Sequence, residues 1–280
     1  MRVSRRRLVG IAAIAPLAAV SCGMTEGAIA ARPTVGRTPE PSELLVLAAS
    51  SLTDAFTELA ETLPKQAGFG GVRITMSFGA SSQLRVQLEQ GAAADVFESA
   101  DAAQMELAKR AGLIKGAPHV FARNRLVAIV PRESRAGITT LGDLARPGVK
   151  VVSTAREVPI GAYTLQTLAK LAADPAYGAG FETRVLANVV SEEPNVRQIV
   201  AKVQLGEADA GFVYASEITA RVASDVRVLD IPERYQAPAE HLIGVTRSAR
   251  APALAQRFIE HLLTPAGQAL LKRHGFLTLA

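Results

Sequence analysis

Four short stretches place small or hydroxyl-bearing residues where a helix would begin. They are Ala49-Ser50-Ser51-Leu52-Thr53-Asp54, Gly79-Ala80-Ser81-Ser82-Gln83-Leu84, Val158-Pro159-Ile160-Gly161-Ala162-Tyr163 and Glu193-Pro194-Asn195-Val196-Arg197. A helix start offers N–H groups without intrahelical acceptors and a partial positive charge, which together suit an anion. Several such ends meeting at one cleft, with serine hydroxyls added, would hold a small oxyanion without lysine or arginine. Plainer readings stand beside this one. Ser51, with Asp54 three residues on, approximates a capping box and reads first as an N-cap. Gly79-x-Ser81 begins like a nucleophile elbow, but Gln83 stands where that turn needs its last glycine. Tyr214, at the end of Gly211-Phe212-Val213, reads by pattern as a core tyrosine.

Other reactive side chains give weaker signals. His119, His241, His261 and His274 show no metal-ligand spacing to one another or to Cys22, and read as surface or hydrogen-bonded histidines. Glu98 and Asp101 are close enough in sequence for a general acid and base, yet their place beside a helix start favours solvated N-terminal acids. No cofactor is expected, and no metal beyond what an oxyanion itself carries.

The elements that must position these residues alternate. Leu44–Ala49 is a short apolar run suited to a buried parallel strand, and Leu52, Ala55, Phe56, Leu59 and Ala60 then fall on one helical face. Strands are expected at 72–78, 95–97, 126–130, 149–152, 184–186, 210–214, 226–229 and 241–245. Helices are expected at 82–90, 102–111, from Pro159, from Val196, at 252–263 and at 265–274, with a helical turn at 140–145. The β-α alternation is the signature of doubly wound α/β sheets, in which ligands sit beyond the carboxyl ends of strands. Each of the four opening motifs lies at such a place.

The N-terminus is a targeting segment. Residues 1–21 combine a basic start, an apolar stretch from Leu8 to Val20 and Ser21 before Cys22, too short to span a bilayer comfortably. Ser4-Arg5-Arg6-Arg7-Leu8-Val9 resembles a twin-arginine export signal, with an ordinary Sec signal as the alternative. Ala19-Val20-Ser21-Cys22 resembles a bacterial lipoprotein processing site. Cys22 is the only cysteine among 280 residues and is expected to carry lipid. Removing Arg2, Arg5, Arg6 and Arg7 takes the formal charge from +5 to +1, which leaves no electrostatic footprint for nucleic acid. Residues 22–43, rich in Gly, Pro and Thr, read as a lipid-anchored tether spanning roughly 25 Å root-mean-square.

In order and spacing, the motifs resemble those of the periplasmic molybdate-binding proteins of ABC importers. Ala48–Ala55, Ser77–Leu84, Gly91 with Ala94-Asp95-Val96-Phe97, and Val158-Pro159-x-Gly161-x-Tyr163 carry the resemblance. So do Asn195-Val196-Arg197, Gly206–Tyr214 and Thr264-Pro265-x-Gly267-Gln268. The resemblance implies a two-lobed periplasmic-binding-protein fold, each lobe a mostly parallel sheet flanked by helices, with the ligand in the interlobe cleft. Lobe one would be 44–121 plus 240–280, and lobe two 122–239. It implies oxyanion ligands Ser51 and Ser81 through side chain and backbone, Ile160 and Val196 through backbone N–H, and Tyr214 through its phenol. Ile160 replaces a usual alanine, Ala93 a usual proline, and Glu98 an apolar or small residue, while Thr154-Ala155 stands for an Asn-Pro-like pair. The implied function is capture of molybdate and tungstate, without catalysis, for an ABC transporter permease. The protein would be a monomer, anchored in the membrane by lipid and facing the periplasm or cell exterior. The alternatives are the same scaffold binding sulfate, a secreted serine hydrolase using Ser51 or Ser81, and the ligand-sensing domain of a regulator.

Overall fold

Residues 43–279 are described by a computed structural model. The export segment, Cys22 and the tether as far as residue 42 lie outside the described residues. The first half of the chain runs β1 (Glu43–Ala49), a 3-10 turn (Ser50–Leu52), α1 (Thr53–Thr62), β2 (Arg73–Gly79), α2 (Ser81–Glu89), β3 (Val96–Ser99), α3 (Ala102–Arg110), β4 (Ile114–Asn124) and β5 (Leu126–Pro131). Then follow β6 (Val151–Thr154), α4 (Pro159–Ala172), α5 (Phe181–Ala187), β7 (Val189–Glu193), α6 (Val196–Gln204) and β8 (Ala210–Tyr214). The chain closes with α7 (Ala220–Asp225), β9 (Val226–Asp230), β10 (Ala239–Thr246), α8 (Pro252–Leu263) and α9 (Pro265–Arg273).

Two five-stranded sheets share one plan. Their orders are β2-β1-β3-β10-β4 and β7-β6-β8-β5-β9. In each, the first three strands run parallel and the last two pairings are antiparallel. The chain changes sheet between Asn124 and Leu126 and returns between Asp230 and Ala239. These two crossings give the two-lobed α/β fold.

The core follows from strand periodicity. Along β1, Leu44, Val46 and Ala48 join one apolar cluster with Phe56, Phe121 and Phe258, while Leu47 joins another with Leu84, Phe97 and Met105 on the opposite face. Burying each such side chain is worth roughly 1.5–3 kcal/mol. The second lobe has its own core, and Ala49, Ala80 and Ala100 of the first lobe pack into it. The lobes therefore meet at the carboxyl ends of β1, β2 and β3.

Some elements differ from expectation. Residues 184–186 lie in α5, not a strand, because Phe181 and Val185 bury one helical face at i, i+4 spacing. β4 was not expected, since Gly116 and Pro118 interrupt any alternation. As an edge strand with register shifts against β10, it accommodates both. β7, also an edge strand, carries the polar Ser191, Glu192 and Glu193 and gave no apolar signal.

Candidate functional site

The register of β1 on β2 sets Ala49 beside Gly79, so Ser50-Ser51 and Ala80-Ser81 leave the first sheet at the same level. From the second lobe, Val158-Pro159-Ile160 opens α4 after β6, Asn195-Val196 opens α6 after β7, and β8 ends at Tyr214. All of these line one small cavity, completed by Gly79, Ala80 and Ala100. Ser51, Ser81, Ile160, Val196 and Tyr214 are thus brought together. Among the described residues, no lysine, arginine, aspartate or glutamate lines the cavity.

Local sequence explains why the donors face inward. Asn195 has extended backbone and caps α6, its Oδ1 accepting from the amides of Arg197 at 3.1 Å and Gln198 at 3.4 Å. That leaves the Val196 N–H without an acceptor among the described residues. Pro159 at the first turn of α4 has no N–H to satisfy, and the next amide, that of Ile160, is likewise unpaired. Gly161 is required here. A Cβ at this position would lie 2.3 Å from the Ala155 carbonyl oxygen, so only glycine lets α4 begin this close to the end of β6.

The hydroxyls fall into two kinds. Ser81 Oγ accepts a 3.0 Å hydrogen bond from the Ala100 amide, which leaves its own proton free to donate into the cavity. Ser51 Oγ and Tyr214 Oη are buried and have no hydrogen-bond partner among the described residues. Unpartnered buried polar atoms are uncommon and need a reason. Burial holds the Tyr214 phenol well above its ordinary pKa, so it remains a donor. The N-cap expectation for Ser51 is not met. The helix is entered through a 3-10 turn whose cap makes no side-chain bond, and Ser51 Oγ is left for another partner.

Behind the cavity lies a pair that the sequence did not reveal. Glu98, expected to be solvated, is fully buried on β3, where it accepts 2.7 Å from the Ala49 amide and pairs at 2.8 Å with His241 Nδ1. Strand register puts the two together, since Ile243 on β10 faces Glu98. His241, read as a surface or hydrogen-bonded histidine, is buried, and its Nε2 has no partner among the described residues. The pair resembles the acid–histidine half of a catalytic triad, but among the described residues no serine hydroxyl meets that nitrogen, and neither Ser51 nor Ser81 is hydrogen-bonded to a histidine. Asp101 caps α3 through the Gln104 amide at 2.8 Å and is buried, which raises its pKa. It is an N-terminal acid, though not a solvated one.

Polar contacts join the lobes beside the cavity. Arg197 Nε donates to the Ser50 carbonyl at 3.0 Å, and Gln104 Nε2 donates to the Glu157 carbonyl at 3.0 Å. Arg197 ends the Asn195-Val196-Arg197 motif, but nothing in the sequence indicates what it touches. Among the described residues, no group of three or more His, Cys, Asp or Glu is arranged to hold a metal ion, and no helix is long and apolar enough to cross a membrane.

Known proteins resemble this chain in sequence and in fold. Residues 44–277 match the family model for bacterial extracellular solute-binding protein. The molybdate-binding protein ModA of Mycobacterium tuberculosis H37Rv is 37% identical over 257 residues, covering 92% of each chain. Among solved structures, the Azotobacter vinelandii periplasmic molybdate-binding protein superposes with a TM-score of 0.72 at 24% identity, over 85% of this chain and 100% of the other. The M. tuberculosis sulfate-binding protein SubI gives 0.74 at 18% identity, over 85% and 87%. These two share the fold. With a family model matched across almost all of its described residues and a relative at 37% identity over nearly its whole length, the chain belongs to the bacterial extracellular solute-binding proteins.

Proposed function

We propose that this protein captures molybdate, and tungstate with it, outside the cytoplasm and delivers the anion to an ABC transporter permease. The observation that carries the reading is the pair of buried, unpartnered hydroxyls, Ser51 Oγ and Tyr214 Oη, in a cavity where helix-start amides converge and no charged side chain intrudes. Molybdate and tungstate are full dianions at neutral pH, and their four oxygens only accept hydrogen bonds. A cavity lined by donors and lacking any carboxylate matches that chemistry. Phosphate retains a proton over much of this range and profits from an acceptor, which this cavity does not offer. Hydrogen bonds to charged partners are about twice as strong as neutral ones, so a few neutral donors suffice in a closed cleft.

The ligands are Ser51, Ser81 and Tyr214 through their hydroxyls, with the amides of Ser51, Ser81, Ile160 and Val196. The 37% identity to the molybdate-binding protein ModA of Mycobacterium tuberculosis supports the choice of anion. The protein is a carrier, not an enzyme, and no nucleophile–base pair lies at the cavity. Its two lobes, one built on each sheet, close over the anion, and lipid on Cys22 keeps the monomer at the membrane. Calorimetric titration of ligand-free protein with molybdate, tungstate, sulfate and phosphate tests this. At a hundredfold excess over Kd, a bound anion adds about 2.7 kcal/mol of stability. For a body of this size, that is roughly 5–11 °C in Tm. No heat and no shift with millimolar molybdate or tungstate would refute the reading.

A further inference from the structure

The cavity itself holds no cation, but a guanidinium stands one peptide bond away from it. Arg197, the second residue of α6, reaches across to the other lobe. Its Nε donates to the Ser50 carbonyl at 3.0 Å, and its Nη2 pairs with Asp54 Oδ2 at 2.8 Å. Glu217 Oε2 lies 3.8 Å from Nε on the other side. The Ser50 carbonyl and the Ser51 N–H belong to the same planar trans peptide and point in opposite directions. The Thr53 amide and Thr53 Oγ1 (2.7 Å) also donate to that carbonyl, so its outer side is saturated with donors. Its inner side presents the Ser51 amide where Ser51 lines the cavity. On Arg197's own helix, the preceding residue is Val196, whose unpaired amide lines the same cavity from the other lobe.

We propose that Arg197 is a positioning residue that orients and polarises the Ser51 amide toward the anion and latches the two lobes closed over it. This rests on the oxyanion reading of the site. Positive charge reaches the anion through a peptide dipole, so the cavity gains attraction while the guanidinium keeps its own carboxylate partners outside. An Arg placed inside would instead pair directly with any carboxylate or phosphate ligand and would lose the preference for acceptor-only anions. The contact to Ser50 joins α6 to the turn before α1, so it exists only with the lobes together, and its contribution falls on release rather than capture. Arginine suits this because its planar fork can serve the carbonyl and the Asp54 carboxylate at once, which a lysine ammonium cannot do with the same geometry.

The test compares Arg197→Ala, Arg197→Lys and Asp54→Asn with the unaltered full-length protein. Association and dissociation of molybdate are followed by stopped-flow tyrosine fluorescence, and melting is measured with and without the anion. Losing a charge-assisted hydrogen bond at a half-exposed site predicts molybdate dissociation about ten- to fiftyfold faster for Arg197→Ala. Association should change less than about threefold, and ligand-free melting should be unchanged. Arg197→Lys should recover part of the loss, and Asp54→Asn, which keeps the Ser50 contact, should speed release only about two- to fivefold. Dissociation rates equal to the unaltered protein's would overturn the latch, as would a loss of ligand-free stability that accounts for the whole effect. If Arg197→Ala does not fold, an unchanged release rate in both Asp54→Asn and Arg197→Lys overturns it equally. If the unaltered protein binds no molybdate, the oxyanion reading fails and the latch falls with it, a result distinct from normal binding with unaltered release.

Discussion

Ser51→Ala and Ser81→Ala remove the same group from the same cavity, yet the ligand-free proteins are expected to behave differently. Ser51 Oγ has no partner among the described residues, so its loss orphans nothing there and ligand-free stability should stay within about 0.5 kcal/mol, or ~1–2 °C in Tm. Ser81 Oγ receives the Ala100 amide at 3.0 Å, and its loss leaves that amide buried and unpaired. An unsatisfied buried donor costs about 1–3 kcal/mol, which for a body of this size is roughly 2–12 °C. Binding should respond alike in the two variants. Each loses a hydroxyl donor to a charged ligand, about 1.5–3 kcal/mol, or ten- to more than a hundredfold in Kd for molybdate. Scanning calorimetry without ligand and titration calorimetry with molybdate measure the two quantities separately. Equal melting losses in the two variants would show that Ser51 has a structural partner and is no waiting donor. Unchanged affinity in Ser51→Ala would remove it from the ligand set.

Other expectations follow from the same geometry. Ile160→Ala should keep molybdate affinity within about tenfold and shift the ranking among anions of different size, whereas Ile160→Pro deletes the amide and should weaken binding far more in the same titration. Glu217 faces Arg197 and Asp54, and burial lifts its pKa to about 7. A carboxyl whose folded pKa lies above its unfolded value contributes stability at low pH and loses it as pH rises from about 4.5 to 7. The slope is at most ~1.4 kcal/mol per pH unit, and Glu217→Gln should flatten it in urea titrations across that range. Native protein should partition with membranes, while Cys22→Ala should appear soluble or unprocessed. An unmodified thiol on Cys22 in wild-type protein released to the medium would exclude the lipid anchor.

Much of this molecule was legible in the chain itself. Short apolar runs ending in small or hydroxyl residues marked β1 and β8, and Pro252 and Pro265 marked the first residues of α8 and α9. Such signals are local. A strand that ends in Ser-Ser must hand its backbone to a helix start, and the unpaired amides there follow from helix geometry wherever the helix sits. Local pattern marked the helix starts that hold Ser51, Ser81, Ile160 and Val196. Only the resemblance to molybdate-binding proteins named them as ligands, and it alone added Tyr214, which by pattern reads as a core tyrosine. What the sequence could not supply was everything set by residues far apart in the chain. The Glu98–His241 pair spans 143 positions and exists because β3 and β10 are neighbours in one sheet. The bond from Arg197 to Ser50 spans 147 positions and requires the two lobes to be closed. Even the free state of the Ser51 hydroxyl was decided this way, since a capping serine and a waiting donor share one local pattern. Only the tertiary arrangement, by burying that oxygen without a partner, separates the two.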